Sequence, residues 1–288
     1  MRSQAVNSWR SISTGFIKGA GMRKKNNNNL KFLIVFLVLT GFAGLFAHGI
    51  IRNQSTQSIS LPERGKVIVV YDGDTIKVRF KDKQEWKVRL IGVDALEIGG
   101  PVDEVEFQAQ MSKRFTFYYL YQKKIKLSYE EETIDKYGRV LAYVWTEEQG
   151  LFNKFIISEG FASAMRGFRY QYREEFREAE QEARKLEKGL MRRGEYTQIS
   201  PQETSRFIGQ LVSVEFMCKN ALSKGKFIFL NSSQGEFSAL IPKENLSLFP
   251  DPQSFMGKNF SVKGFLEEYK GKPQIVVLLP IQINQGDR

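Results

Sequence analysis

Three carboxylates and two arginines in this chain have the types and spacing to act on a phosphodiester. Asp74 lies in Val70-Tyr71-Asp72-Gly73-Asp74-Thr75-Ile76. Arg89, Asp94 and Glu97 lie in Arg89-Leu90-Ile91-Gly92-Val93-Asp94-Ala95-Leu96-Glu97, and Arg139 closes Asp135-Lys136-Tyr137-Gly138-Arg139. Carboxylate oxygens suit a hard cation. A carboxylate beside such a cation can take a proton from water. Guanidinium forks match non-bridging phosphate oxygens and stay charged at any working pH. Taken singly, each feature has a plainer reading: Asp72-Gly73 as a hairpin turn, Arg89 and Arg139 as surface charges, Glu97 as a helix cap. Together, and in this order, they point to metal-assisted hydrolysis.

The flanking pattern says which elements carry these residues. Lys66–Val70 and Thr75–Phe80 alternate around Asp72-Gly73 and are expected to form a hairpin with a tight turn. Glu85–Val93 reads as a third strand. Asp103–Tyr121 has helical periodicity, an acidic first turn and, by expectation, a basic end. Lys124–Tyr129 and Val140–Trp145 read as strands, and Leu151–Ile157 and Tyr172–Leu186 as helices. That order predicts a five-stranded barrel with three helices, an α+β fold of the OB type.

Composition bounds the rest. The 288 residues allow one large or two small domains and a tail. A single cysteine, Cys218, excludes an intrachain disulfide and a thiolate zinc cluster. The net charge of +11 is mostly a property of residues 1–61, which hold eight Lys/Arg and no acid. Phosphate attraction elsewhere must therefore come from local clusters. Residues 32–51 form an apolar run of bilayer-spanning length behind this basic stretch. The expectation is a transmembrane anchor with residues 1–31 in the cytoplasm, a linker at 52–61 and the remainder outside the cytoplasm. A cleaved secretory signal starting at Met22 is the competing reading.

On these motifs, and on Glu159-Gly160-Phe161-Ala162 and the charged helix after it, residues 62–195 resemble a staphylococcal nuclease-like (thermonuclease-like) domain. The resemblance implies a role for each position. Asp74, Asp94 and the carbonyl of Ala95 would bind Ca²⁺. Glu97 would activate water, Arg89 and Arg139 would grip phosphate, and Asp72 would support the metal ligands. Lys136, Arg166 and Arg169 are candidates for further phosphate contacts. Two departures bear on activity. Leu96 stands where the family usually has proline, which would stiffen the loop bearing Glu97. Ser163-Ala164-Met165-Arg166-Gly167-Phe168 also lacks the tyrosines that stack on nucleotide in the staphylococcal enzyme.

Residues 204–285 read as a second, all-strand unit and resemble an OB-fold nucleic-acid-binding barrel. Lys263, Tyr269, Lys270 and Lys272, with Phe227 or Phe229, are its candidate contacts; the phenylalanines could equally be core. The expectation is a membrane-anchored, calcium-dependent nuclease acting on DNA and/or RNA outside the cytoplasm, with no obligate protein partner. The alternative is a weak or inactive nuclease-like module that binds nucleic acid or protein.

Overall fold

The structure is a computed structural model and describes residues 61–100 and 102–285. The expected anchor at 32–51 and its basic leader lie outside the described residues, among which no helix is long and apolar enough to cross a membrane. From Leu61 onward the chain is one compact unit holding two closed barrels.

The first barrel is built from β1 (Arg64–Val70), β2 (Thr75–Arg79), β3 (Glu85–Leu90), β5 (Lys124–Ser128) and β6 (Val140–Thr146). Their order is β3-β2-β1-β5-β6, and a parallel pairing of β3 with β6 closes the ring. The short pairs β4 (Val93–Asp94) with β8 (Ser163–Ala164), and β6 with β7 (Gly150–Leu151), sit at its margins. Three helices pack on it: α1 (Asp103–Leu120), α2 (Phe152–Ser158) and α3 (Arg173–Lys185). Val67, Ile76, Val78, Val88 and Leu90 face inward and meet Phe107, Met111 and Phe115 of α1. Contrary to expectation, the last turn of α1 carries no basic residue; it is Phe117-Tyr118-Tyr119-Leu120. Aromatic rather than charged residues end this helix because it is covered there.

The cover is the second barrel, made of β10 (Leu211–Lys224), β11 (Phe227–Ser232), β12 (Ser238–Pro242), β13 (Asn259–Tyr269) and β14 (Lys272–Val276). The short strands β9 (Gln198–Ile199) and β15 (Ile283–Asn284) extend its margins. Its order, β10-β11-β12-β14-β13 with β13 returning to β10, repeats the topology of the first barrel, down to a parallel pairing of the third and fifth strands. Where the first barrel inserts α1, the second inserts two short 3-10 turns, Lys243–Leu248 and Pro252–Phe255. β10 is a long strand of 14 residues. Its first half pairs with β13 and its second half, after an irregularity at Cys218–Asn220, pairs with β11. One bent strand thus closes the barrel.

The two barrels share a core. On β13, Phe260, Val262 and Leu266 enter the second core, whereas Phe265 projects from the other face into the first. Its ring packs edge-on against Phe115, Tyr118 and Phe161 at 5.6–5.7 Å. Leu211 joins it there. Arg114 on α1 makes an ion pair with Glu267.

Candidate active site

The Asp72–Asp74 segment is not the expected tight two-residue turn. The β1–β2 ladder pairs Val70 with Ile76, and the Tyr71 amide donates to the Thr75 carbonyl at 2.9 Å, leaving a wider loop. Gly73 is not among the residues with a positive φ. It is needed for proximity: a Cβ there would sit 1.9 Å from Ser112 Oγ and 2.7 Å from the Ala95 Cβ. Thr116 Oγ1 donates to the Gly73 carbonyl at 2.7 Å. Ser112 and Thr116, one turn apart on α1 and fully buried, therefore hold the loop from beneath. Sequence reasoning missed both. The signal was a pair of small polar residues at i and i+4 beside the apolar stripe of Phe107, Met111 and Phe115.

Asp74 is 1 % exposed. Its Oδ1 accepts from Thr75 Oγ1 at 2.9 Å, and its Oδ2 accepts from the Ala95 amide at 2.8 Å. Arg89 Nη2 lies 2.9 Å from the same Oδ2. Arg89 is itself 7 % exposed, and its Nη1 donates to the Val93 carbonyl at 2.7 Å. β2 and β3 bring these residues together because Thr75 faces Arg89 across the ladder. Burial pushes the Asp74 carboxyl up to about 7, against the pull of the Arg89 guanidinium and with a further push from Asp72. Asp72 Oδ1 accepts from the Asp74 amide at 3.2 Å, so it braces the loop.

The remaining acids are on the surface. Asp94 and Glu97 are exposed, with no ion pair or side-chain hydrogen bond among the described residues. Leu96 is 42 % exposed. The hydrogen bond from the Ala95 amide to Asp74 ties this loop to the buried carboxylate, and Glu106 of α1 ties its far end by accepting from Gly99 and Gly100 at 2.5 and 3.2 Å. Among the described residues no three His, Cys, Asp or Glu side chains are gathered closely enough to hold an ion.

Arg139 is oriented by Asp135, whose Oδ2 accepts from Arg139 Nε at 2.7 Å and whose Oδ1 accepts the amides of Tyr137 and Arg139. Burial would raise the Asp135 carboxyl; these hydrogen bonds outweigh it and hold it below the usual carboxylate value. Gly138, at φ +75°, lets the loop turn back so that this contact forms. Both terminal nitrogens of Arg139 keep no protein partner among the described residues.

The other sequence candidates are scattered. Lys136 is exposed over the Tyr137 ring. Arg166 is exposed and lies 3.7 Å from Glu180, a buried carboxylate that also receives the Ala164 amide. Because Ser163 pairs with Asp94, Glu180 anchors the strand beside the candidate ligand. Arg169 is exposed. Tyr269, Lys270 and Lys272 are exposed at the β13–β14 hairpin, with Lys272 3.5 Å from Glu236. Lys263 is elsewhere. Its ammonium lies 3.5 Å from Glu104 and 4.8 Å from the Phe107 ring, on the face of β13 that packs against α1.

Residues 87–192 match the family model described as staphylococcal nuclease homologue. The chain is 39% identical to the thermonuclease of Staphylococcus hyicus over 127 residues, covering 43% of this chain and 73% of that protein. It is 36% identical to the thermonuclease of Staphylococcus intermedius over 141 residues, covering 49% and 82%. The chain belongs to the staphylococcal nuclease family. It is also 30% identical to the micrococcal nuclease of Shigella flexneri over 135 residues, covering 44% of this chain and 72% of that protein. These shares fit a family likeness carried by the first barrel and its helices.

Proposed function

We propose that this protein is a calcium-dependent nuclease that hydrolyses phosphodiester bonds of DNA or RNA. The observation that carries the reading is the buried contact of Arg89 with Asp74 at 2.9 Å, locked to the Asp94–Glu97 loop through the Ala95 amide. In this reading, that contact joins the proposed phosphate-binding group and cation ligand to the loop of the candidate base.

The donor chemistry fits calcium. Asp74, Asp94 and the Ala95 carbonyl offer oxygen only and would hold the ion, and Asp94 is exposed to solvent. Bound calcium supplies charge that polarises the phosphoryl group and acidifies nearby water. Glu97, which has no side-chain partner among the described residues, would accept the proton of the attacking water. Arg139, its Nε fixed by Asp135, offers its two terminal nitrogens to the non-bridging oxygens. Arg89 adds fixed charge beside them, favouring the more negative transition state. Arg166 and Lys136 are exposed and would add positive field for a bound polyanion.

Cleavage of single- and double-stranded DNA and RNA is the test, with calcium and with chelator. The reading expects calcium-dependent cleavage, abolished by Asp74→Ala and slowed about 10²-fold or more by Arg89→Ala or Arg139→Ala. Cleavage that persists in chelator or in Asp74→Ala sinks it. A second reading, a module that binds without cutting, draws on the occupied Oδ2 of Asp74 and the exposed Leu96 in place of a stiffening residue. Retained binding with no cleavage selects it. The apolar run at 32–51 behind a basic leader supports placing the barrels outside the cytoplasm on a membrane anchor. Sequencing the mature N-terminus decides this: processing near Ala47 refutes the anchor.

A further inference from the structure

A groove runs over the junction of the two barrels. It joins a cleft of about 820 Å³ to one of about 1050 Å³, and the two share Arg114, Phe117, Lys226 and Phe227. Its lining is chemically mixed in a particular way. On β11, Phe227 and Phe229 alternate with Ile228 and Leu230, which belong to the second core; the phenylalanines line the groove instead. Tyr269, 60 % exposed, stands at one end. Phe117 stacks on Tyr121 at 4.3 Å toward the other end. Between and around these rings, basic side chains outnumber acidic ones eight to four, and two of the acids are already paired, Glu267 with Arg114 and Glu236 with Lys272.

Flat rings, half-buried at Phe117, Phe227 and Phe229 and exposed at Tyr269, interleaved with ammonium groups suit a polyanion that also offers flat apolar faces. A single-stranded nucleic acid does; a duplex hides its base faces by stacking, and a simple polyphosphate has none. The groove also has a direction. Its first cleft reaches Val70, which leads into the loop bearing Asp74, and Glu106, whose carboxylate holds Gly99 and Gly100 at the end of the loop bearing Glu97. The groove therefore reaches residues that flank the two loops carrying the candidate chemistry.

We infer that single-stranded nucleic acid lies along this groove, from the β13–β14 hairpin across Phe229, Phe227 and Phe117, and is thereby led to the hydrolytic site. This rests on the nuclease reading above and adds a strand-specific track supplied by the second barrel. Because Phe265 and the Arg114–Glu267 pair fix the barrels to each other, the track and the site keep one geometry.

The test uses the full 288-residue chain and two readouts. Fluorescence anisotropy of a labelled 20-nucleotide strand in chelator measures binding without cleavage. Phe227→Ala and Tyr269→Ala are each expected to weaken it about tenfold. Lys224→Gln with Lys226→Gln is expected to lower the salt slope of binding by about 1.4. Cleavage with calcium is compared on the 20-mer and on a trinucleotide, shorter than the roughly 4–16 nucleotides that such a barrel covers. The variants are expected to raise KM on the 20-mer and leave the trinucleotide unchanged. Unchanged anisotropy in the aromatic variants overturns the track. So does equal binding of a 20-base-pair duplex, or equally effective competition by inorganic polyphosphate. If no substrate is cut while the variants still lose strand binding, the nuclease reading fails and the track stands.

Discussion

Gly73→Ala tests most directly whether α1 sets the position of Asp74. The added methyl carbon would lie 1.9 Å from Ser112 Oγ, 3.0 Å from Ser112 Cβ and 2.7 Å from the Ala95 Cβ. The Ser112 hydroxyl can turn about its one side-chain bond, but Ser112 Cβ and Ala95 Cβ move only with the backbone, and both residues are buried. The loop must rise, stretching the Thr116–Gly73 hydrogen bond and moving Asp74 relative to Arg89. Overpacking of this kind costs about 1–3 kcal/mol of stability. A displacement of about 1 Å at a reacting group costs on the order of 10²-fold in rate. Urea unfolding and steady-state cleavage of a long strand measure the two effects separately. Ser112→Ala provides the control. Its Oγ has no hydrogen-bond partner among the described residues, so deleting it leaves stability unchanged or raises it. Combined with Gly73→Ala it removes the nearest clash and recovers part of both losses, though not all, since the Ala95 contact remains. If Gly73→Ala folds and cuts like the parent, the loop is not held by α1 and the account of this glycine is wrong.

Three further outcomes are expected. In chelator, stability should fall as pH rises between the ordinary carboxylate value of 3.8 and about 7, by up to about 4 kcal/mol. Below that window Asp74 is protonated in both states; within it the folded state holds a proton that the unfolded chain has released. Asp74→Asn should flatten the slope in urea titrations across pH, and an unchanged slope would assign it to other groups. Phe265→Ala should destabilise both barrels together by about 3–5 kcal/mol, seen as one cooperative calorimetric transition shifted down; two separated transitions would refute the shared core. Asp135→Ala should lower kcat on a long strand about tenfold or more while Arg139 remains present, because the guanidinium loses its brace; an unchanged kcat would show that Arg139 needs no support.

Much of the first barrel was legible because its strands alternate and its acids and arginines fall at strand ends, where backbone pattern alone determines which residues meet. Thr75 facing Arg89 across β2 and β3 is such a case. What escaped was everything set by contacts between distant segments. Alternation places Lys263 and Phe265 on one face of β13 but does not say what covers that face; the structure covers it with α1. The run Gly264-Phe265-Leu266-Glu267, buried throughout, is the trace of a strand enclosed on both sides. The same cover explains the aromatic last turn of α1, where a dipole argument expects basic residues. Asp72-Gly73 reads as a tight hairpin turn because that is the commonest local reason for the dipeptide, whereas the reason here is Ser112, thirty-nine residues away in sequence. The role of Phe227 and Phe229 depended on the phase of β11, which composition leaves open.

The buried pairing of Asp74 with Arg89 has a thermodynamic consequence. With Asp74 ionised, each group neutralises the other, so under the proposed function a cation arriving at the carboxylate would release the guanidinium, and a phosphate arriving at the guanidinium would release the carboxylate. Linkage makes this reciprocal: whatever factor the ion contributes to substrate affinity, substrate contributes to ion affinity. On the proposed nuclease reading, neither visitor would be held firmly by itself, and the pocket would commit only when both are present.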